Sequence, residues 1–234
     1  MLKRSWAMVL VLGWAGFTTL LARADDAKTP SGGAALEGAV AMAQLGSGSV
    51  RNIVPVFGQL VSFAMPKGFV PAFEEAKGNF YIWEAVPDGE TTSAWTQMLT
   101  LTGLRGLVVN ANVNAEAIAV NIAKGFQRTC PDTFGVANAR VGDIGGKEAF
   151  GVVVSCGIAN PKGPKAAQYS ESALVVAIKG YENYYTLQWA ERGAAVPARP
   201  KIEVQKWVPK LKLLDETRLC ALIPEEQPPY PSCR

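Results

Sequence analysis

The sequence predicts an α+β fold: one domain with a largely antiparallel sheet, in the element order βββα-βββα, flanked by helices. Six short segments show the two-residue alternation or the continuous apolar run typical of strands, and two longer segments show the 3.6-residue period of amphipathic helices. The strands fall into two groups of three, each followed by a helix. Strands grouped in this way favour an antiparallel sheet with helices on its faces.

The first group of strands covers residues 58–69, 80–87 and 95–103. Pro66 and Gly68 end the first strand, because proline cannot donate a ladder hydrogen bond and both residues favour turns. In the third strand, alternation predicts one apolar face. That face consists of Trp95, Leu99 and Leu101.

The first helix is predicted over residues 114–130, where the apolar period changes. Ile118, Ile122 and Phe126 recur at four-residue intervals and form one stripe of a helix. Asn114 suits the N-cap, because its side chain can accept a hydrogen bond from a free amide of the first turn.

The second group of strands covers residues 147–157, 170–180 and 182–192. The first two are nearly continuous apolar runs, which predicts central strands covered on both faces. The third alternates, so that Tyr184 points to one face and Tyr185 to the other. Gly-Tyr at positions 180 and 181 predicts a tight hairpin and therefore an antiparallel pair.

A second helix is predicted over residues 199–216, and Pro209 should kink or divide it. The proline-rich residues 217–234 then form a tail without a packed core of its own. Residues 25–53 are rich in Ala, Gly and Ser and form a flexible leader. The α+β domain is therefore expected over residues 54–216.

Residues 1–24 have the pattern of a cleaved signal peptide. Lys3 and Arg4 precede an uncharged apolar stretch, and Ala-Arg-Ala at residues 22–24 suits signal peptidase. The alternative is an uncleaved membrane anchor, but the apolar stretch is short for a spanning helix. The pattern predicts a periplasmic or secreted protein with no stable membrane span after cleavage.

The charge balance changes when this segment is removed. The full chain has 23 basic and 20 acidic residues, and residues 1–24 contain three of the basic ones and no acidic one. The mature chain is therefore electrically neutral. A neutral chain gives no electrostatic reason to expect a nucleic acid or an anionic membrane as partner.

The four cysteines are expected to form two disulfides, because their number is even and the chain is exported. The sequence alone allows three connectivities. We favour Cys130–Cys156 and Cys220–Cys233, since each closes a moderate loop between neighbouring elements. A zinc site is the alternative, but there is no C-x-x-C spacing and no histidine, so no metal site is predicted.

The absence of histidine excludes whole classes of enzyme. Ser-His-Asp and Cys-His hydrolases and H-E-x-x-H zinc proteases all need a histidine. The Gly-Gly-Lys within residues 141–150 lacks the spacing of a phosphate-binding loop, and Glu148 stands where a magnesium-binding Ser or Thr is needed. A tight turn is the better interpretation of this segment, and no catalytic residue and no cofactor are predicted.

The chain resembles the PsbP-like fold of photosystem accessory proteins and of periplasmic proteins of the DcrB type. The resemblance depends on the strand VSFAMPKGF with its Pro-x-Gly-aromatic ending, on GKEAFGVVVS, and on the hairpin ALVVAIKGYENYYTLQWA. It covers about residues 58–214. It implies an accessory or binding role, and no site residue is transferred from the family, because the fold does not fix a function.

Aromatic residues on the strands supply the candidate binding face. Tyr185 and Trp189 are assigned to the core, so Tyr184 must point away from it, and Tyr81 and Trp83 lie on one face of their own strand. An aromatic sheet face that no helix covers would be a binding surface. The candidate residues are Tyr81, Trp83 and Tyr184.

The amino-acid sequence alone leaves three functions open. The first is a non-catalytic, exported accessory or binding protein of a bacterial-type cell envelope, acting on another envelope protein. The second is a hydrolase of cell-wall or carbohydrate substrates that uses paired carboxylates, which requires a suitable separation between two acids. The candidate acids are Glu84, Glu171, Glu182 and Glu191. The third is a carrier of a small ligand or lipid on the aromatic face.

Overall fold

The computed structural model describes residues 48–139, 141–160 and 165–234. The predicted signal peptide and the predicted leader up to residue 47 lie outside this part of the chain. The described residues contain two antiparallel sheets and two α-helices, so the predicted α+β class is confirmed.

Strands and helices follow one another closely along the described residues. The strands are β1 Ser49–Val56, β2 Gln59–Pro66, β3 Phe69–Lys77, β4 Phe80–Pro87, β5 Gln97–Leu104, β6 Phe134–Asn138, β7 Asp143–Ile144, β8 Lys147–Cys156, β9 Tyr169–Lys179, β10 Tyr184–Ala194 and β11 Arg218–Ala221. The α-helices are α1 Ala115–Thr129 and α2 Val208–Asp215. Short 3-10 turns are formed by Lys165–Ala167, Val204–Trp207 and Pro231–Cys233.

The large sheet has the strand order β3-β4-β5-β10-β9-β8-β6, and β7 pairs with the start of β8. Its neighbouring strands are antiparallel throughout. The hairpin predicted at Gly180 and Tyr181 is confirmed as the β9–β10 connection. Strands β8 and β9 are central and bury most of their side chains, as their continuous apolar runs predict.

Helix α1 covers one face of the large sheet, mainly over β8 and β9. Asn114 caps the helix, since its Oδ1 accepts the Ala117 amide at 2.7 Å. The buried stripe contains Ile118 and Phe126 as predicted, whereas Ile122 is only partly buried. We call this side of the large sheet the α1 face.

The opposite face of the large sheet packs against the small sheet, which has the order β1-β2-β11. Rings interlock between the two sheets: Phe63 of β2 lies edge-on to Trp83 of β4, with ring centroids 5.5 Å apart. Gly103 of β5 is required here, because a Cβ at this position would lie 2.6 Å from the Val56 side chain. Every side chain of β2 is buried, and those on the side of Phe63 lie between the two sheets.

Pro209 divides the second predicted helix, as expected. Val204–Trp207 forms a 3-10 turn, and α2 begins at Val208 with the proline in its first turn, where a missing amide hydrogen costs no helical bond. Lys210 of α2 is buried, and its Nζ lies 2.8 Å from Glu191 Oε1. Helix α2 packs on β2 and β9 beside the small sheet.

Five strands in the described part of the chain were not predicted, and three expectations need correction. Strand β1 begins at Ser49, inside the predicted leader, so the domain starts earlier than residue 54. Strand β11 lies inside the predicted coreless tail and pairs with β2. Trp95 precedes β5 and packs in the core of the α1 face, away from Leu99 and Leu101. The other strands missed are β3, β6 and β7.

The two predicted disulfides are confirmed. Cys130–Cys156 joins the end of α1 to the end of β8. Cys220–Cys233 joins β11 to the last 3-10 turn and so fixes the tail to the small sheet. In the described part of the chain, no helix has the length and apolar character needed to span a bilayer.

Candidate functional site

The predicted aromatic binding face does not exist as an open surface. Tyr81 and Trp83 are buried between the two sheets, where the Tyr81 ring contacts Phe57. The Tyr81 hydroxyl donates to Glu74 Oε1 at 2.8 Å, and burial together with this carboxylate raises the pKa of Tyr81. Aromatic side chains pack there against the chain's own small sheet, which the sequence analysis did not foresee.

Tyr184 lies on the other side of the large sheet and is also buried. Its side chain packs in the core beneath α1, and its hydroxyl donates to the Val113 carbonyl at 2.8 Å. The three predicted residues are therefore inaccessible and belong to opposite faces. The same finding removes the open aromatic sheet face that the carrier hypothesis required.

The candidate acids of the hydrolase hypothesis are not brought together. Glu84 stands opposite Thr100 of β5, which stands opposite Gln188 of β10. Gln188 in turn stands opposite Val175 of β9, four residues beyond Glu171. Strand spacing and rise per residue then separate Glu84 from Glu171 by roughly 20 Å, and Glu84 from Glu182 before the start of β10 by roughly 22 Å. A pair of glycosidase carboxylates must lie within about 10 Å of each other.

Two of these acids have cationic partners of their own. Glu171 Oε2 accepts a hydrogen bond from Arg192 Nε at 3.1 Å on the α1 face, and burial still raises the pKa of Glu171 against the effect of that cation. Glu191 pairs with Lys210 on the side of the small sheet. Both carboxylates therefore connect elements of the fold.

A different group of residues forms an exposed surface at one end of the large sheet, where hydrogen bonds of buried side chains join several connections. Three connections meet there: β1–β2, β5–α1 and β9–β10. Asn183 is buried between them and bonds to each side. Its Oδ1 accepts the Gly106 amide at 2.9 Å, and its Nδ2 donates to the Phe57 carbonyl and the Tyr185 hydroxyl, each at 3.2 Å.

Gln59 fixes the β9–β10 connection from below. Its Oε1 accepts the Tyr181 amide at 3.1 Å and lies 3.1 Å from the Tyr185 hydroxyl. Gly180 is the residue that permits this close approach, because a Cβ there would lie 2.5 Å from Gln59 Oε1. Among the described residues, the buried Gln59 Nε2 has no hydrogen-bond partner.

The side chains above this framework are aromatic, aliphatic and cationic. Tyr181 is 59% exposed, and Lys147 Nζ lies 4.1 Å from its ring centroid. Arg105 lies 4.4 Å above the Phe57 ring, and Val109 is 88% exposed. We call these five residues the tip surface.

The tip surface carries two cations that face rings instead of carboxylates. Among the ion pairs of the described residues, none includes Arg105 or Lys147. Lys147 follows the turn of Gly145 and Gly146, both with positive φ, which confirms the tight turn predicted there. The next residue, Glu148, accepts the Ala115 amide at 2.9 Å and so anchors this turn to the start of α1.

Exposed Tyr and Arg side chains on a fixed backbone are the typical composition of protein-binding hot spots. The chemistry available at the tip surface is therefore recognition, by ring contact and by charge. Across the described residues, no group of three or more Cys, Asp and Glu is placed to hold a metal ion. The sequence pattern placed Tyr181 only in a hairpin and did not indicate the role of Asn183. A Gly-Tyr-Glu-Asn turn was the available signal.

Comparison with known proteins gives no family. No protein-family model matches the chain, and no curated protein matches it. Solved structures with a similar course include the Ran-binding protein Mog1p of Saccharomyces cerevisiae, at 14% identity and a TM-score of 0.44, covering 72% of this chain and 92% of that one. A point mutant of the protein Mog1 has 13% identity and a TM-score of 0.46, covering 74% of this chain and 97% of that one.

A third solved structure comes from Bacteroides thetaiotaomicron. It has 11% identity and a TM-score of 0.35, and the alignment covers 77% of this chain and 51% of that one.

Proposed function

We propose that this protein is an exported, non-catalytic accessory protein of a bacterial-type cell envelope, periplasmic or secreted, that recognises another protein through the tip surface. One observation carries the proposal. Tyr181 and Phe57 are presented together with Arg105 and Lys147 on three connections that the buried Asn183 ties into one unit.

Hydrogen bonds of the buried Asn183 and Gln59 side chains distinguish this surface from ordinary exposed loops. A binding surface that is ordered before the partner arrives loses little conformational entropy on association. Large amphipathic rings then supply contact area with few rotatable bonds. Hot-spot residues of this type contribute 2 kcal/mol or more, which is about a thirtyfold change in Kd.

The cations define the partner's chemistry. Arg105 and Lys147 have no carboxylate partner among the described ion pairs. A partner that brings carboxylates and apolar side chains would complete both interactions. Export is supported by the signal-peptide pattern and by the two disulfides, which persist in oxidising compartments. An accessory role is also what the resemblance to PsbP-like and DcrB-like proteins implies.

Site-specific photo-cross-linking in the exporting cell tests the proposal. A photoreactive amino acid replaces Tyr181 in one variant and Val109 in another. The control replaces Val136, which is 53% exposed on edge strand β6. We expect a discrete adduct with one protein at positions 181 and 109 and none at 136, and we expect Arg105→Ala to reduce it.

Two outcomes would contradict the proposal. One is the absence of any adduct at either tip position while the variants are exported and folded with both disulfides intact. The other is an adduct of equal yield at Val136. Thermal unfolding of each variant shows whether the fold is retained, because Tyr181 and Val109 are mostly exposed and should be dispensable for stability.

A further inference from the structure

Helix α1 covers only part of the α1 face and leaves a polar patch beside it. Val86 of β4 belongs to the core of this face, so Glu84 and Ile82, two and four residues earlier, point the same way. Thr100 of β5 stands opposite Glu84, and Gln188 of β10 stands opposite Thr100, so these two side chains lie on the same face. All four of these side chains are only partly buried.

Edge strand β3 adds an aromatic side chain to this patch. Phe73 stands directly opposite Glu84 in the β3–β4 pairing and is 41% exposed. Side chains opposite each other in an antiparallel pair have Cβ atoms about 5 Å apart. We call Phe73, Ile82, Glu84, Thr100 and Gln188 the open patch.

Glu84 is the chemical centre of the open patch. Among the described residues, no hydrogen bond or ion pair engages its carboxylate. Burial alone raises the pKa of Glu84, with no opposing contribution from a nearby cation. A partly desolvated carboxylate without a partner gains more from an external cation than a fully hydrated one does.

The neighbouring polar atoms add acceptors to this site. Gln188 uses its Nε2 to donate to Thr186 Oγ1 at 3.2 Å, which leaves its Oε1 available as an acceptor. The Thr100 hydroxyl lies between Glu84 and Gln188 in the strand register. A carboxylate, an amide oxygen and a hydroxyl beside an aromatic ring suit an ammonium or guanidinium group on an aliphatic stem.

We propose that the open patch binds a basic segment of a partner polypeptide, with a lysine or arginine side chain placed between Phe73 and Glu84. Charge complementarity favours this occupant, because the carboxylate of the patch has no cationic partner among the described residues. Glu75 strengthens the selection, because it stands opposite Ile82 on the same face. The proposal is independent of the tip surface, which is cationic and lies at the end of the sheet.

Amide chemical-shift mapping of the intact, oxidised protein tests this proposal. The probe is a twelve-residue peptide with four lysines spaced by serine and alanine, compared with the same peptide carrying arginine or glutamine at those positions. We expect the lysine and arginine peptides to shift the amides of Phe73, Glu84, Thr100 and Gln188. The Glu84→Gln and Phe73→Ala variants should bind at least fivefold more weakly.

Asp132→Asn is the matched control, because it removes one negative charge from an exposed position away from the patch. It should bind the lysine peptide as the unmodified protein does. Three outcomes would overturn the proposal: shifts confined to other surfaces, equal weakening by Asp132→Asn, or equal binding of the glutamine peptide. Equal affinity for spermidine would overturn the assignment to a polypeptide. None of these outcomes bears on cross-linking at Tyr181.

Discussion

Two carboxylates on the same face of the large sheet, Glu171 and Glu84, differ in whether they have a cationic partner. Glu171 and Glu84 each precede a core residue by two positions, Ala173 and Val86 respectively, and burial raises the pKa of both. Of these two carboxylates, only that of Glu171 has a cation beside it among the described residues, Arg192 at 3.1 Å. The covered part of the face therefore satisfies its own charge, whereas the open part leaves a charge for an external partner.

The Glu171 site also encloses its cation. The Arg192 guanidinium lies 3.7 Å from the Trp95 ring centroid and 4.2 Å from that of Tyr169, so it is held between two aromatic rings. Ion pairs that are buried in this way determine packing more than they add stability, and their loss is costly because one charge stays behind. The two sites thus differ in whether a cation lies beside the carboxylate. Substitution of the charged residues tests this difference.

The largest effect is expected from Arg192→Ala. This change leaves Glu171 buried without its cation and removes both ring contacts, so the free energy of unfolding should fall by about 3–5 kcal/mol at neutral pH. The loss should shrink at acidic pH, where Glu171 takes up a proton. Denaturant unfolding from pH 4 to pH 8 measures it.

Lys206→Ala provides the control for that experiment. Lys206 pairs with Glu203 at 3.0 Å, but both side chains are largely exposed. Exposed pairs contribute little to stability, so this variant should unfold at nearly the same denaturant concentration as the unmodified protein. An equal loss in both variants would contradict the structural role given to the buried pair.

An intermediate effect is expected at the tip surface from Asn183→Ala. The Gly106 amide and the Phe57 carbonyl would both lose their partner, at a cost of about 1–3 kcal/mol. Hydrogen exchange at the Gly106 amide should accelerate. Asn112 is an exposed residue of the same connection, so Asn112→Ala should change neither the stability nor the exchange rate of the Gly106 amide. Slow exchange of the Gly106 amide in the Asn183→Ala variant would show that Asn183 does not order the tip surface.

The sequence pattern predicted those parts of the fold that are determined by residues close together in the chain. The N-cap at Asn114, the hairpin at Gly180 and the division at Pro209 depend on neighbours a few residues away, and all three are present. The disulfide pairs followed from loop length and element order.

The small sheet could not be predicted in this way. Strand β1 has a leader-like composition near its start, and β11 is only four residues long, so both depend on pairing with β2. Without that sheet, Tyr81 and Trp83 looked available for a ligand, although they pack beneath it. A segment far away in the chain buries these side chains, and the residue pattern of a single strand does not show which distant segment will cover it.

The residues that we propose for binding were not recognised as binding residues from the sequence, for a related reason. Asn183 joins three connections that are far apart in the chain, and only the folded structure shows that it does so. The alternation that places Tyr81 and Trp83 on one face of β4 places Glu84 on the other. Whether that face carries a matching cation depends on β3, β5 and β10, and the sequence of β4 does not contain this information.

The smallest effect, and the opposite sign, is expected from Glu84→Gln. Because the folded protein holds the Glu84 proton to higher pH than the unfolded chain, stability falls as pH rises from the ordinary carboxyl pKa through the raised one. The glutamine side chain does not ionise, so the Glu84→Gln variant does not lose stability in this way. Glu84→Gln should therefore stabilise the protein at neutral pH by less than about 1 kcal/mol, since the carboxylate is partly exposed and screened.

The free energy of unfolding of Glu84→Gln between pH 4 and pH 8, measured beside the unmodified protein and Asp132→Asn, tests most directly whether the open part of the face carries an unpaired charge. We predict that Glu84→Gln equals the unmodified protein at acidic pH and exceeds it increasingly toward neutral pH, while Asp132→Asn shows no such divergence. A Glu84→Gln variant that is less stable than the unmodified protein at neutral pH would show that Glu84 has an internal partner and would contradict the account.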